Sequence, residues 1–280
     1  MKEKKSVLIT GANGYIGKHV VEKALRKGLR VIASDIYLEG VDERAEKTDF
    51  PIFSGDPDIY EKLGKPDILI HMAWQDGFQH NAPSHMMNLS KHYEFLTNMA
   101  AGGCKNIAVM GTMHEVGYWE GKIDADTPCS PLSMYGIAKN ALRQAMLLKA
   151  KELGFNLYWL RAFYIMGDDT RNHSIYTKIL QAASEGKKEF PFTSGKNKYD
   201  FIDVDDLAQM IVDASAQETY KGIINVCTGT AVSLGEKVEQ FIQDRKLDIR
   251  LKYGAFPDRA YDSPIVYGDN TVISKIQSQV

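Results

Sequence analysis

Cysteine is scarce in this chain. Cys104, Cys129 and Cys227, three residues in 280, are odd in number, far apart and without metal-ligand spacing. That pattern excludes a disulfide framework and points to a reducing cytoplasm. Charge of one sign is lacking too: the formal net charge is −2, which leaves no basic footprint for a nucleic acid. No apolar run approaches the roughly 18 residues of a membrane helix, so no membrane association is expected. The opening Lys2-Glu3-Lys4-Lys5 leads into a strand-like segment rather than the apolar core of a signal peptide. Repeats and low-complexity linkers are absent. With 44% apolar and 25% charged residues, the chain reads as globular, with one large domain or one and a half.

What is present begins with glycine. Gly11-Ala12-Asn13-Gly14-Tyr15-Ile16-Gly17 follows the apolar run Ser6-Val7-Leu8-Ile9-Thr10. A short β-branched run reads as a buried parallel strand. The glycines permit a tight turn and close approach of backbone to a pyrophosphate, and the helix starting near Tyr15 aims free N–H groups at it. A second strand, 30–35, ends at Asp35, with Ile36 beside it. A carboxylate about 20 residues after the glycines is placed to bind a ribose 2′-hydroxyl, and it favours NAD over NADP because it repels a 2′-phosphate.

Strand and helix patterns alternate through the first 160 residues. Strands are expected at 5–10, 30–35, 51–54, 67–71, 106–110 and 156–161, and helices at 15–27, 57–63, 84–101 and 134–153. The alternation predicts an α/β fold, a doubly wound parallel (Rossmann) sheet. Beyond Arg161 a helix at 174–185, strand-like pieces at 199–203 and 223–227, and helices at 204–216 and 233–245 form a smaller lobe. Residues 1–161 thus read as the dinucleotide-binding domain. Residues 162–280 read as a mixed substrate lobe interleaved with it. Chemistry is expected at the carboxyl ends of the strands.

Tyr135 and Lys139 lie four apart near the start of a helix capped by Ser133 and stopped by Gly154, so they share a face. A free phenol, with pKa about 10, is a poor acid–base catalyst at neutrality. A neighbouring ammonium favours the phenolate, and Tyr135 can then exchange a proton with a sugar hydroxyl while hydride moves at the adjacent carbon. Thr112 ends the strand that begins at Asn106 and is placed to hold the reacting oxygen. His71, His80, His85, His92 and His114 contain no His-Glu-x-x-His pattern, and no metal is expected; His71 reads as a strand-end packing residue.

Together these residues resemble an extended short-chain dehydrogenase/reductase, of the NAD-dependent epimerase/dehydratase type that acts on nucleotide sugars. The resemblance spans nearly the whole chain. It adds Asp56, Met72-Ala73-Trp74, Asn88 and Ala162-Phe163 to the cofactor site. It places Thr112, Met113, Tyr164, Tyr199 and Arg259 against a nucleotide-sugar substrate. It implies bound NAD(P), transient oxidation or reduction of a sugar carbon, often C4, and a homodimer.

Departures from the family pattern narrow the reaction. Thr112 is followed by Met113-His114-Glu115 rather than Asp-Glu, and Met cannot transfer the proton that elimination of water requires. Tyr164 stands for an Asn, and Tyr199 for an Arg that grips the diphosphate; Lys196 or Lys198 offers a substitute charge. The sequence therefore favours a nucleotide-sugar 4-epimerase, with a 4-keto-reductase as the alternative. A 4,6-dehydratase and a non-catalytic NAD(H)-sensing regulator stand below both.

Overall fold

Val7, Leu8 and Ile9 have no exposed surface, and a strand apolar on both sides must be covered on both faces. The computed structural model describes residues 4–167, 175–258 and 262–279. Its strands are β1 (Ser6–Thr10), β2 (Arg30–Ser34), β3 (Glu46–Thr48), β4 (Ile68–His71), β5 (Asn106–Thr112), β6 (Gly121–Ile123), β7 (Asn156–Ala162), β8 (Tyr164–Met166), β9 (Glu189–Pro191), β10 (Lys198–Asp203), β11 (Gly222–Val226), β12 (Ala231–Ser233), β13 (Arg250–Lys252) and β14 (Ile265–Gly268). The helices are α1 (Tyr15–Arg26), α2 (Ile59–Lys62), α3 (Ser84–Met87), α4 (Leu89–Gly102), α5 (Met134–Leu153), α6 (Ile175–Ser184), α7 (Val204–Ala216), α8 (Leu234–Asp244) and α9 (Thr271–Gln277).

The large sheet is parallel throughout, in the order β11-β7-β5-β4-β1-β2-β3. Side chains alternate strictly between two cores, as a period of two requires. Val7, Ile9, Val31, Ile70, Ala108 and Leu160 pack with α1, α7 and α9. Leu8, Ile32, Leu69, Ile107, Val109 and Trp159 pack with α2, α4 and α5. The chain reverses direction across the sheet between β1 and β4, which opens a crevice at their carboxyl ends.

The smaller lobe is built on a mixed sheet in the order β12-β10-β14-β6, with β8 on β10, and on the pair β13-β9. The sequence assigns 223–227 to this lobe, but β11 pairs with β7 and extends the large sheet. α7 likewise lies on α1. Asp205 takes His19 Nδ1 at 2.9 Å and Lys23 Nζ at 2.5 Å, and Asp213 takes Lys27 Nζ at 2.8 Å.

Two expectations need correction. The third strand is Glu46–Thr48, not 51–54; there Ser54 N–H closes a turn onto the Pro51 carbonyl at 3.2 Å. Pro51 has no ladder donor, and the real strand is a short polar edge with no apolar signal. The helix expected over 84–101 breaks at Asn88, where φ is −96° and ψ −4°, giving α3 and α4.

Asp200, in β10, has no exposed surface. Its carboxylate accepts the N–H groups of Thr228 at 2.9 Å, Gly229 at 2.9 Å and Gly268 at 3.1 Å, and the Thr228 hydroxyl at 2.6 Å. It joins the end of the large sheet to the small one. Asp200→Ala strands three backbone donors, and each unsatisfied buried donor costs about 1–3 kcal/mol. We expect a loss of about 3 kcal/mol or more in urea unfolding; an unchanged midpoint would show the carboxylate to be dispensable.

Candidate active site

The turn from β1 into α1 is tight because Gly14 N–H reaches the Gly11 carbonyl at 3.0 Å. A Cβ on Gly17 would sit 2.0 Å from that carbonyl, so only glycine permits the approach of helix to loop. No side chain caps α1, and its first turn carries no acid. Its N–H groups are therefore left to an anion, which the helix dipole also favours. The Asn13 Oδ1 is buried with no hydrogen-bond partner among the described residues. Asp35 accepts Asn13 N–H at 2.9 Å and Ile36 N–H at 2.7 Å, and exposed Ile36 and Tyr37 follow it. N–H donors at an uncapped helix start, with an orphan acceptor and a carboxylate at the end of β2, are the polar groups a dinucleotide requires.

β4 closes the other wall. Met72 N–H donates to the Thr10 carbonyl at 3.1 Å, and Ala73 lies directly against Gly11. Asn88 binds the side chain of Gln75 at 3.1 Å, one residue past Trp74. Asp56 stands apart: its contacts run to Lys62, Asp58 and Asn98.

Thr112, Tyr135 and Lys139 come together as the sequence anticipates. Ser133 caps α5 by accepting Gly136 N–H at 3.2 Å, and Gly154 ends it in the left-handed conformation. The helix runs beside the end of β5, and the Thr112 side chain lies near enough to the Tyr135 phenol to favour its ionised form. Lys139 is buried, its Nζ donates to the Met110 carbonyl at 2.7 Å, and it lies 5.9 Å from the Tyr135 ring centroid. Burial pushes Lys139 down to about 7, against the pull of Glu115. Burial raises Tyr135 above the ordinary phenol value, and the Thr112 side chain works in the opposite direction.

In the sequence the histidines are weighed as metal ligands, with His71 as a packing residue, and are not placed around this trio, because they come from separate turns of chain. His80 stacks on Tyr135 at 5.5 Å between centroids, His85 lies at 5.3 Å and His114 at 6.2 Å. His71 does pack at the strand end: it has 1% of its surface exposed, and it hydrogen-bonds Thr10 at 2.8 Å and His92 at 2.9 Å. Desolvation disfavours the charged form of His71, His80, His92 and His114. His92 is lowered to about 3 and His114 to about 4, and His71 and His80 are lowered as well. Among the described residues no group of three His, Cys, Asp or Glu is arranged to hold a metal ion.

Glu115 is fully buried and points back beneath Thr112. It accepts Thr112 N–H at 2.8 Å and Trp159 Nε1–H at 2.9 Å, with Arg143 Nε at 3.3 Å and an Arg161 nitrogen at 3.8 Å. Met113 turns into the core of the small lobe with Phe163, Tyr199 and Phe201. Tyr164 stacks on Tyr199 at 4.2 Å, and Ala162 pairs in register with Thr112. Lys196 and Lys198 are exposed, and Arg259 lies outside the described residues.

A parallel sheet of this order, with a glycine loop after β1 and a Tyr-x-x-x-Lys helix beside a strand-end Thr, defines an enzyme of the extended short-chain dehydrogenase/reductase class. The chain belongs to the NAD dependent epimerase/dehydratase family, whose model matches residues 7–227. It is 48% identical over 270 residues to dTDP-6-deoxy-L-talose 4-dehydrogenase (NAD(+)) of Aggregatibacter actinomycetemcomitans, covering 94% of this chain and 99% of that protein. It is 27% identical to UDP-arabinose 4-epimerase 1 of Arabidopsis thaliana, over 96% of this chain and 74% of that one. Among solved structures, the UDP-N-acetylglucosamine 4-epimerase of Methanobrevibacter ruminantium M1 shares the fold, with a TM-score of 0.84, 21% identity, and 98% and 92% of the two chains covered. No helix of the described residues is long and apolar enough to cross a membrane.

The neutral histidines set a pH dependence of stability. Their folded pKa values lie below the unfolded value of about 6.5, so the stability they contribute is complete above about pH 6.5 and is lost as pH falls toward the folded values. For His92, with 2% of its surface exposed, the loss is about 1.4 kcal/mol per pH unit through that window. Urea unfolding at a series of pH values should fall less steeply in His92→Gln than in the wild type between about pH 6 and 4; parallel curves would remove His92 from the balance.

Proposed function

We propose that the protein is an NAD-dependent 4-dehydrogenase of a nucleotide-linked 6-deoxyhexose, which also reduces the corresponding 4-keto sugar. The observation that carries this is the 48% identity that extends over 94% of this chain and 99% of a relative named for that reaction. The epimerase relatives are less similar, at 27–28% identity for the UDP-arabinose 4-epimerases. The sequence alone favours the epimerase, because oxidation at C4 is common to both reactions and the same trio serves both. The dehydrogenase is preferred on this likeness.

NAD is the cofactor, and it supplies hydride transfer when bound. The pyrophosphate is assigned to the α1 N–H groups and to Gly11, Asn13, Gly14, Tyr15, Ile16 and Gly17 of the loop. Asp35 accepts the adenosine ribose hydroxyls. Met72, Ala73, Trp74, Ala162 and Phe163 flank the route to the strand ends. Asp56 and Asn88 remain candidates for the cofactor's outer contacts.

Tyr135 carries the proton. In oxidation the Tyr135 oxygen takes the proton of the sugar C4 hydroxyl as hydride leaves C4; in reduction the phenol returns it to the carbonyl oxygen. Thr112 holds that oxygen by a hydrogen bond. An ammonium at Lys139 lowers the cost of the phenolate, and the same amine is proposed to bind the nicotinamide ribose. Buried Met113 provides no acid for elimination, which sets the dehydratase below these readings. Tyr164, Tyr199 and Arg259 are proposed for the nucleotide-sugar side of the cleft.

The protein with NAD⁺ and a dTDP-6-deoxyhexose should form NADH in step with a 4-keto product. Interconversion of C4 epimers without net NADH would establish the epimerase instead. Tyr135→Phe should lower turnover about 10²–10⁴-fold while NAD still binds; an unchanged rate would take Tyr135 out of the chemistry.

A homodimer is part of the same proposal. Ile137, Ala141 and Leu148 recur on one exposed stripe of α5, and Leu148 keeps 68% of its surface open. Sedimentation should give a dimer whose dissociation constant rises about tenfold or more in Leu148→Glu; a wild-type monomer would refute it.

A further inference from the structure

Lys139 is held in a cage. Its Nζ stands 3.8 Å from the centroid of the Trp74 ring and donates to one backbone carbonyl, that of Met110. Trp74 is itself clamped. Its indole stacks on His92 at 4.3 Å with 15° between planes, and its edge meets Tyr135 at 6.2 Å. The indole N–H donates to His85 Nδ1 at 3.0 Å, and His85 Nε2 lies 3.0 Å from the Gln79 carbonyl. A carbonyl can only accept, so the His85 proton sits on Nε2 and Nδ1 is free to receive the indole. Behind His92, His71 and Thr10 continue the chain of hydrogen bonds to β1.

We propose that Trp74 is a positioning residue whose indole face keeps the Lys139 ammonium charged and pinned beside Tyr135. Two needs conflict at Lys139. The amine is buried, which favours its neutral form, yet a neutral amine cannot stabilise a phenolate. The groups facing it from each packed element give little charge in return. On the turn after β5, Glu115 is the single carboxylate, and it is already engaged by Arg143 of α5 and Arg161 of β7. His71 of β4 and His92 of α4 are kept neutral, and His85 of α3 is an acceptor toward Trp74. Beside the Met110 carbonyl, the π face of Trp74 at 3.8 Å is much nearer than that of Tyr135 at 5.9 Å, and a desolvated cation over tryptophan is the strongest contact of its kind.

The inference rests on the role given to Lys139 above, but its deciding measurement, the titration of Lys139, uses neither sugar nor NADH, so a wrong substrate assignment leaves that result standing. The cofactor-free protein is labelled with ¹³C at lysine Cε, Lys139 is assigned by its loss in Lys139→Arg, and its midpoint is followed by NMR across pH. Trp74→Leu should lower that midpoint by about one pH unit, a tenfold change in the ratio of charged to neutral amine, and Trp74→Phe by less. Fluorinated tryptophans, which weaken the π face at almost unchanged shape, should lower it stepwise and cover the case in which the leucine variant does not fold. In turnover, the alkaline limb of kcat/KM for keto-sugar reduction should move the same way; a merely structural Trp74 would depress kcat at every pH and leave the limb in place. A Lys139 midpoint unmoved by the substitutions and by fluorination would overturn the proposal.

Discussion

The buried carboxylate of Glu115 governs how the catalytic end of the molecule is built. An ionised carboxylate in an apolar interior costs several kcal/mol unless it is paired and hydrogen-bonded, and removal of one partner from such a group is strongly destabilising. Here the compensation comes from a backbone N–H, an indole N–H and two guanidiniums supplied by β5, β7 and α5. Glu115 can fold back only because Gly111 has no side chain: a Cβ there would meet the Trp159 nitrogen at 2.3 Å and the Glu115 carboxylate at 2.8 Å. The same carboxylate sets the direction in which β5 ends, and so the place of Thr112. Tyr135 then follows, because α5 is anchored to that strand end through Arg143.

Around that ionic core the site is aromatic and uncharged. Four imidazoles and one indole surround a phenol and an amine, and the nearby charges belong to groups already paired. Low dielectric makes each remaining interaction stronger and each unpaired group more costly. This explains why burial drives the phenol and the amine of the trio in the directions least useful to proton transfer at neutrality. Thr112 opposes the shift of the Tyr135 phenol, and the face of Trp74 is proposed to do the same for Lys139.

Much of this was legible in the chain because it is local. The glycine turn, the strand before it, Asp35 at the end of the next strand, and the Ser133 cap with Tyr135 and Lys139 one turn apart all lie within windows that sequence periodicity can read. What escaped was long-range or weakly patterned. Glu46–Thr48 is a polar edge strand without alternation, and Asn88 breaks a helix whose apolar spacing continues across it. His80, His85, His92 and His114 belong to three separate segments that only tertiary packing assembles. Met113, set against substrate by its place after Thr112, packs in the small-lobe core beside Phe163, Tyr199 and Phe201. The four-donor clamp that Asp200 makes between the sheets is equally long-range.

The return of β11 and α7 to the large sheet has a practical consequence for dissecting the molecule. A fragment that stops after Ala162 would carry the whole glycine loop and the whole catalytic trio. It would nevertheless expose the outer backbone edge of β7 and strip α1 of the helix that neutralises Lys23 and Lys27. Exchanging the smaller lobe for another, or transplanting it elsewhere, therefore cannot use a single cut. The splice has to leave residues 204–226 with the half that precedes them.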